Sequence, residues 1–298
     1  MSTLYTQSES NIRKTWLYLA GFLILIIFLG WLISYMMQTP SILIIAVVLS
    51  VLMSFFSYWY SDKIVLRLTR AKAIEKKDSP ELYRLVENLC ITAGLPLPKI
   101  YIIEEAQPNA FATGRDPKRG VVVVTRGLLE KLNKVELEGV IAHELAHIGN
   151  RDILLSTVVV VLVGVVVIIT DFFFRMAFWG GIGDRDGRLK LIMIVVALAL
   201  AILAPISAQL IKLAISRKRE FLADATAALL TRYPDGLAQA LEKISADTNP
   251  LRRANDATAH LYIANPFRGK EKNSWLHRLF MTHPPVEERI KALRGIKV

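Results

Sequence analysis

A chain of 298 residues can hold one large domain or two ordinary ones, and 53% apolar residues with a mean hydropathy of +0.39 exclude an ordinary soluble globule. The formal charge of +11 fits nucleic acid, anionic lipid or the flanks of membrane segments. Basic residues crowd against apolar runs, Lys63, Arg67, Arg70, Lys72, Lys76 and Lys77 after one and Arg217, Lys218 and Arg219 after another, and no zinc-finger or RNA-recognition signature is present; membrane flanks therefore explain the charge and nucleic acid does not.

Trp16–Met37 carries no charge and reaches the roughly 20 residues a bilayer needs. Its apolar core is too long for a signal peptide, and Tyr35-Met36-Met37-Gln38 offers no small-x-small cleavage site, so an uncleaved anchor is expected. Ser41–Tyr60 follows a short polar turn, Gln38-Thr39-Pro40, and makes a hairpin with the first segment. Ser79-Pro80-Glu81 reads as a helix start, with a cap, an early proline and an early acid. Within that helix lies Cys90, whose solitude excludes an internal disulfide and which reads as a small buried apolar residue. Lys99–Ile103 and Val121–Thr125 are β-rich runs, and Asn109-Ala-Phe-Ala-Thr-Gly114 is extended between them. Asn133 and Glu136 form an Asn-x-x-Glu capping box for a helix over Lys134–Asn150.

That helix contains His143-Glu144-Leu145-Ala146-His147. Residues four apart share a helical face, so His143 and His147 can reach one zinc ion, and Glu144 beside that face can take a proton from an attacking water. The neighbours Ile141, Ala142, Leu145, Ala146 and Ile148 are apolar. Three polar groups among them are costly unless a metal satisfies them together. A catalytic zinc needs a third protein ligand. Asn150 and Ile153 occupy the places of the further Gly and His that would extend the motif, so the ligand comes from elsewhere, with Glu220, Asp224, His260, His277 and His283 as candidates. Glu220 and Asp224 are four apart in a helical stretch, so one can bind metal while the other accepts a proton from a ligand histidine.

Ile153–Thr170 and Leu191–Leu213 are two further segments long and apolar enough to span, the first of them alternatively a buried core helix, separated by the polar turn Trp179-Gly-Gly-Ile-Gly-Asp-Arg-Asp-Gly187. Arg13, Lys14 and the basic starts of the two polar stretches put both termini and the middle stretch in the cytoplasm; Arg175, Arg185, Arg188 and Lys190 in the last loop weaken that contrast. Asp152 follows His147 by five residues, about 8 Å at helical rise, so the metal lies close to the bilayer surface.

His143–His147, an apolar hairpin, Ser216-Arg-Lys-Arg-Glu-Phe-Leu-Ala-Asp224 and Thr282-His-Pro-Pro-Val-Glu-Glu-Arg-Ile290, in that order, resemble the HtpX heat-shock membrane endopeptidases. The likeness covers nearly the whole chain, including Asn109–Gly114 and Thr258-Ala-His-Leu-Tyr-Ile-Ala-Asn-Pro266. The type I CAAX prenyl proteases are similar but carry more membrane segments. The resemblance implies a mainly α membrane protein with a small α+β, zincin-like (gluzincin) catalytic domain and four transmembrane helices in two hairpins. The expected blocks are an N-terminal hairpin over 1–60, the first half of the cytoplasmic domain over 61–152, a second hairpin over 153–213, and the second half of that domain over 214–298. It further implies one zinc per chain, with Glu220 as third ligand beside His143 and His147 and Asp224 behind them. Glu144 would be the general base, and Asn109, Ala110, Phe111 and Ala112 a strand that pairs with an extended substrate, or else an interior strand of the sheet. His283 is a candidate oxyanion donor, or else a residue of the turn before a last helix. The implied substrates are misfolded or damaged proteins of the cell membrane, with the bilayer as partner and no nucleic acid.

A site-2-type protease would bury its histidines mid-span, whereas Glu136, Glu138, Asn150, Arg151 and Asp152 flank these. A transporter would place ionisable residues within the apolar segments, which have almost none.

Overall fold

The computed structural model describes residues 4–159, 161–162, 217–249, 261–263 and 284–296. The chain opens with two long helices, α1 (Leu4–Met37) and α2 (Ser41–Thr69), which form an antiparallel pair. Gln38, at a φ of 52°, and Thr39 turn the chain between them. The turn closes where the Thr39 N–H donates to the Ser34 carbonyl (3.1 Å). Both helices are long and apolar enough to cross a membrane over Glu9–Trp31 and Ser41–Thr69. Phe28, Trp31, Ile44, Ile45, Val48 and Phe55 point outward and stay exposed, as lipid-facing side chains do. Ile153–Thr170 is helical over 153–159 and at 161–162; the rest of it and all of Leu191–Leu213 lie outside the described residues.

Helix α2 continues nine residues beyond Tyr60 because its last turns have a second partner. Val65 and Leu66 pack with Ile103, Phe111, Val121 and Val123 on one face of a sheet, while Lys63 and Arg67 face away. The sheet comprises β1 (Lys72–Ala73), β2 (Lys99–Ile103), β3 (Ala110–Thr113) and β4 (Val121–Thr125) in the order β1-β2-β4-β3, with β2 and β4 parallel and the outer pairs antiparallel. The uninterrupted Val121–Val124 run is buried on both sides, as befits a central strand covered above and below. Its other face, with Ile100, Ile102, Ala110, Ala112, Val122 and Val124, packs on α3 (Pro80–Ala93) and α5 (Lys134–Gly149). The two-residue β1 is too short to leave a readable pattern in the sequence.

Local signals account for the helix ends. Gly94, in the left-handed conformation at a φ of 64°, ends α3. Ser79 precedes α3, but its side chain makes no capping bond; Pro80 at the first turn does without one. Cys90 is buried within α3, and burial pushes its thiol up to about 11. Thr125 caps the short α4 (Arg126–Lys131) by accepting the Leu128 N–H. For α5 both halves of the capping box form, with Asn133 Oδ1 accepting the Glu136 N–H (3.0 Å) and Glu136 Oε2 accepting the Asn133 N–H (2.9 Å). Glu136 also pairs with Lys243 of α7 (Pro234–Ala246) at 2.7 Å. Helix α6 (Arg217–Thr231) and α8 (Val286–Arg294) complete the bundle around α5.

Candidate metal centre

His143 and His147 project from α5 toward α6, and their Nε2 atoms lie 3.2 Å apart. From α6, Glu220 places Oε1 3.5 Å from His147 Nε2 and Oε2 3.8 Å from His143 Nε2. Ligand atoms of all three residues lie within 4.8 Å of one another. Ligands about 2.0–2.1 Å from one tetrahedral ion lie about 3.3 Å apart, so the cluster has the dimensions of a metal site.

Each imidazole is held from behind by a carboxylate. Asp224 Oδ1 lies 2.9 Å from His143 Nδ1, and Asp152 Oδ2 lies 3.1 Å from His147 Nδ1. An ionised carboxylate only accepts, so each Nδ1 carries the hydrogen, and in the neutral ring each Nε2 lone pair faces the centre. Asp224 is one turn from Glu220, on the same face of α6. Asp152 reaches its histidine by another route. Helix α5 stops at Gly149, and Arg151 takes a left-handed φ of 56° before the chain resumes as helix over 152–159. That conformation costs a non-glycine residue about 1–2 kcal/mol, and it folds Asp152 back along α5 toward His147. In the sequence Asp152 reads only as the polar edge of an apolar segment.

Arg289, on α8, is fully buried and grips Asp224 with two bonds, Nε to Oδ2 at 2.9 Å and Nη2 to Oδ1 at 2.7 Å. Its Nη1 lies 3.7 Å from Glu220 Oε2. The sequence held a signal for this residue: Val286, Arg289, Ile290 and Leu293 share one stripe of α8, and a cation on a buried stripe calls for a buried anion. Arg219 is a second buried guanidinium, 3.6 Å from Asp152.

These neighbours set the protonation states. Burial pushes His143 down, and Arg289 adds to that against the Asp224 bond. Burial pushes His147 down as well, but the Asp152 bond and the charges of Glu220 and Glu144 prevail and lift it to about 9. Burial favours a neutral Asp224, yet Arg289 beside it holds the carboxyl below the usual carboxylate range. Glu144, Asp152, Glu220 and Asp224 are all buried, against the buried Arg219 and Arg289. With His147 neutral, as metal binding requires, four negative charges against two positive leave two negative charges in a low-dielectric pocket. A divalent cation neutralises them, and two imidazoles with one carboxylate are a donor set that suits zinc.

Of the strand residues, Asn109 and β3 lie at the sheet's outer edge, next to β4. Antiparallel alternation turns the main-chain groups of Ala110 and Ala112 away from β4. Ala110 is engaged on that side, its carbonyl accepting the Ile263 N–H (3.0 Å) and its N–H bonded to Asn109 Oδ1 (3.2 Å). Phe111 faces the opposite side of the sheet, edge-on to Tyr262. His260, His277 and His283 lie outside the described residues.

Comparison with known proteins agrees with this geometry. The family model of Peptidase family M48 matches residues 76–297. The chain is 46% identical over 293 residues to a protease HtpX homolog of Dictyoglomus thermophilum, covering 98% of this chain and 94% of that one. It is 44% identical over 301 residues to the homolog of Caldanaerobacter subterraneus subsp. tengcongensis, covering 99% of each. It is 49% identical over 269 residues to that of Pyrococcus furiosus, covering 89% and 90%. Among solved structures the S. mikatae Ste24p crystal structure shares the fold, with a TM-score of 0.51 at 18% identity over 97% of this chain and 66% of that one. The chain belongs to Peptidase family M48, among its HtpX-type membrane metalloproteases.

Proposed function

We propose that this chain is a zinc-dependent endopeptidase that cuts misfolded or damaged membrane proteins at the cytoplasmic face of the cell membrane. The observation that carries the reading is the convergence of His143, His147 and Glu220, with each imidazole oriented by its own carboxylate. One zinc per chain, held by those three residues, would supply Lewis acidity to a water molecule and to the scissile carbonyl. Glu144, buried one position after the first histidine, takes the proton of the attacking water and passes it to the leaving amine. Asp224 and Asp152 keep the two imidazoles in the tautomer that offers Nε2. Arg289 holds Asp224 in place and offsets the charge of Glu220. Ala112 offers its outward main-chain groups to an extended peptide, with Asn109–Phe111 as the fixed part of the edge. His283 donates to the oxyanion in this scheme. Backbone recognition tolerates many sequences, which suits clearance of damaged proteins. The basic residues at and after the end of α2 and in the first turn of α6 support a cytoplasmic catalytic domain, and 153–170 with 191–213 supply a second membrane hairpin.

Zinc content and casein cleavage test the scheme together. Glu144→Gln keeps the metal and loses activity by about 10²–10⁴-fold, whereas Glu220→Gln loses metal and activity alike. Normal cleavage by Glu144→Gln defeats the mechanism.

A further inference from the structure

Asn11, on α1, bonds to the surroundings of the metal centre. It is buried at 3% exposure. Its amide nitrogen donates to Asp152 Oδ1 (2.7 Å) and to the Asn150 carbonyl (3.3 Å), and its amide oxygen accepts from Arg219 Nη1 (2.9 Å). Asp152 is thereby held at both oxygens, Oδ2 by His147 Nδ1 and Oδ1 by Asn11, with Arg219 Nε 3.6 Å away. An amide suits the place because it supplies two N–H donors and an acceptor in one plane. Neither an aliphatic side chain nor a hydroxyl can match all three.

The rest of α1 is registered to the same place. Asn11, Thr15, Leu19 and Phe22 form a buried stripe at helical spacing. Leu19 and Phe22 pack with Leu154, Val158 and Leu162, on the helix that begins at Asp152. The carboxylate behind His147 is thus gripped by a membrane helix some 140 residues earlier in the chain.

We propose that Asn11 is a positioning residue for the metal centre, acting through Asp152, so that the seat of the first membrane helix on the catalytic domain sets metal affinity. The inference rests on His147 being a metal ligand. Without Asn11, Asp152 Oδ1 keeps only the longer contact with Arg219. The carboxylate can then rotate away from His147, and the imidazole loses its fixed tautomer and direction.

The test uses the full chain in lipid nanodiscs, with zinc affinity read by competition with a chromophoric chelator. Asn11→Leu keeps the branched shape, with some added bulk, and removes all three bonds; Asn11→Ala removes them with a small cavity. Both weaken zinc binding about 5–10-fold, at the lower end of what removing such outer partners does, and both alter the visible spectrum of the cobalt-substituted protein. Thr15→Val, on the same stripe but bonded only to the Asn11 carbonyl, leaves zinc affinity and spectrum unchanged. In a double-variant cycle, Asn11→Ala adds little once Asp152→Asn is present. Wild-type zinc affinity and cobalt spectrum in Asn11→Ala, or full additivity in the cycle, overturns the proposal. If Asn11→Leu does not insert, Asn11→Ala and the cycle carry the same test. Retention of zinc by His147→Ala would instead sink the metal-site reading on which the proposal stands.

Discussion

At the scale of single residues, the site is a set of paired charges whose partners decide what each can do. Asp224 fixes His143, and Arg289 fixes Asp224. Asp224→Asn keeps the shape but loses the charge, and is expected to weaken metal binding by about 10–100-fold; an unchanged affinity in chelator competition would count against its role. His147 gives a pH prediction. Held at about 9 without metal, it is protonated near neutrality, so uptake of a cation expels that proton. Calorimetry at pH 7.5 in buffers of different ionisation enthalpy is expected to show release of about one proton per metal bound. For the metal-free fold, the raised value means that this histidine's stabilisation is complete below its ordinary value of about 6.5 and is lost as pH rises through about 9. The two histidines were legible because four-residue spacing places both on one helical face. Arg289 was not, since its motif carried no hint of which anion it would meet.

At the scale of elements, the position of α5 depends on how closely its neighbours approach. Gly139 sits where a Cβ would lie 2.7 Å from the Leu237 backbone nitrogen and 2.8 Å from its Cα, on α7. Gly139→Ala therefore forces α5 and α7 apart and is expected to destabilise the fold by about 1–3 kcal/mol. A thermal-unfolding midpoint equal to wild type would show that the contact yields freely. The helices were readable from periodicity and capping, and Asn133 with Glu136 marked the start of α5 correctly because a capping box is local chemistry. The extension of α2 to Thr69 was not readable. Lys63 and Arg67 look like the end of a span, and only the sheet beneath Val65 and Leu66 gives those turns a reason to stay helical.

At the scale of the whole molecule, membrane and catalytic parts share buried polar contacts. Two long helices expose apolar side chains along their length, while the site at their base holds four buried carboxylates and two buried guanidiniums. Removing the metal leaves an excess of buried negative charge that only the proton taken up by His147 reduces. Chelation is expected to lower the unfolding temperature, and added zinc to restore it; a metal present at about a thousand times its dissociation constant contributes about 4 kcal/mol. Scanning calorimetry with and without chelator checks this, and an unmoved midpoint would show that the charges find balance without a cation.

What the sequence determined by itself was whatever depends on neighbours a few residues away: the apolar lengths of the first hairpin, the cap of α5, and two imidazoles on one helical face with a carboxylate beside it. The meeting of Glu220 with that face was an expectation from resemblance, and packing of α6 on α5 brings it about. Tertiary structure alone decided that Asp152 turns back to His147 through the left-handed Arg151, that Arg289 clamps Asp224 from 65 residues away, and that Asn11 reaches Asp152 across 141. Such pairs are selected by the burial of charge, and a buried charge takes whichever partner packing delivers, however distant in the chain.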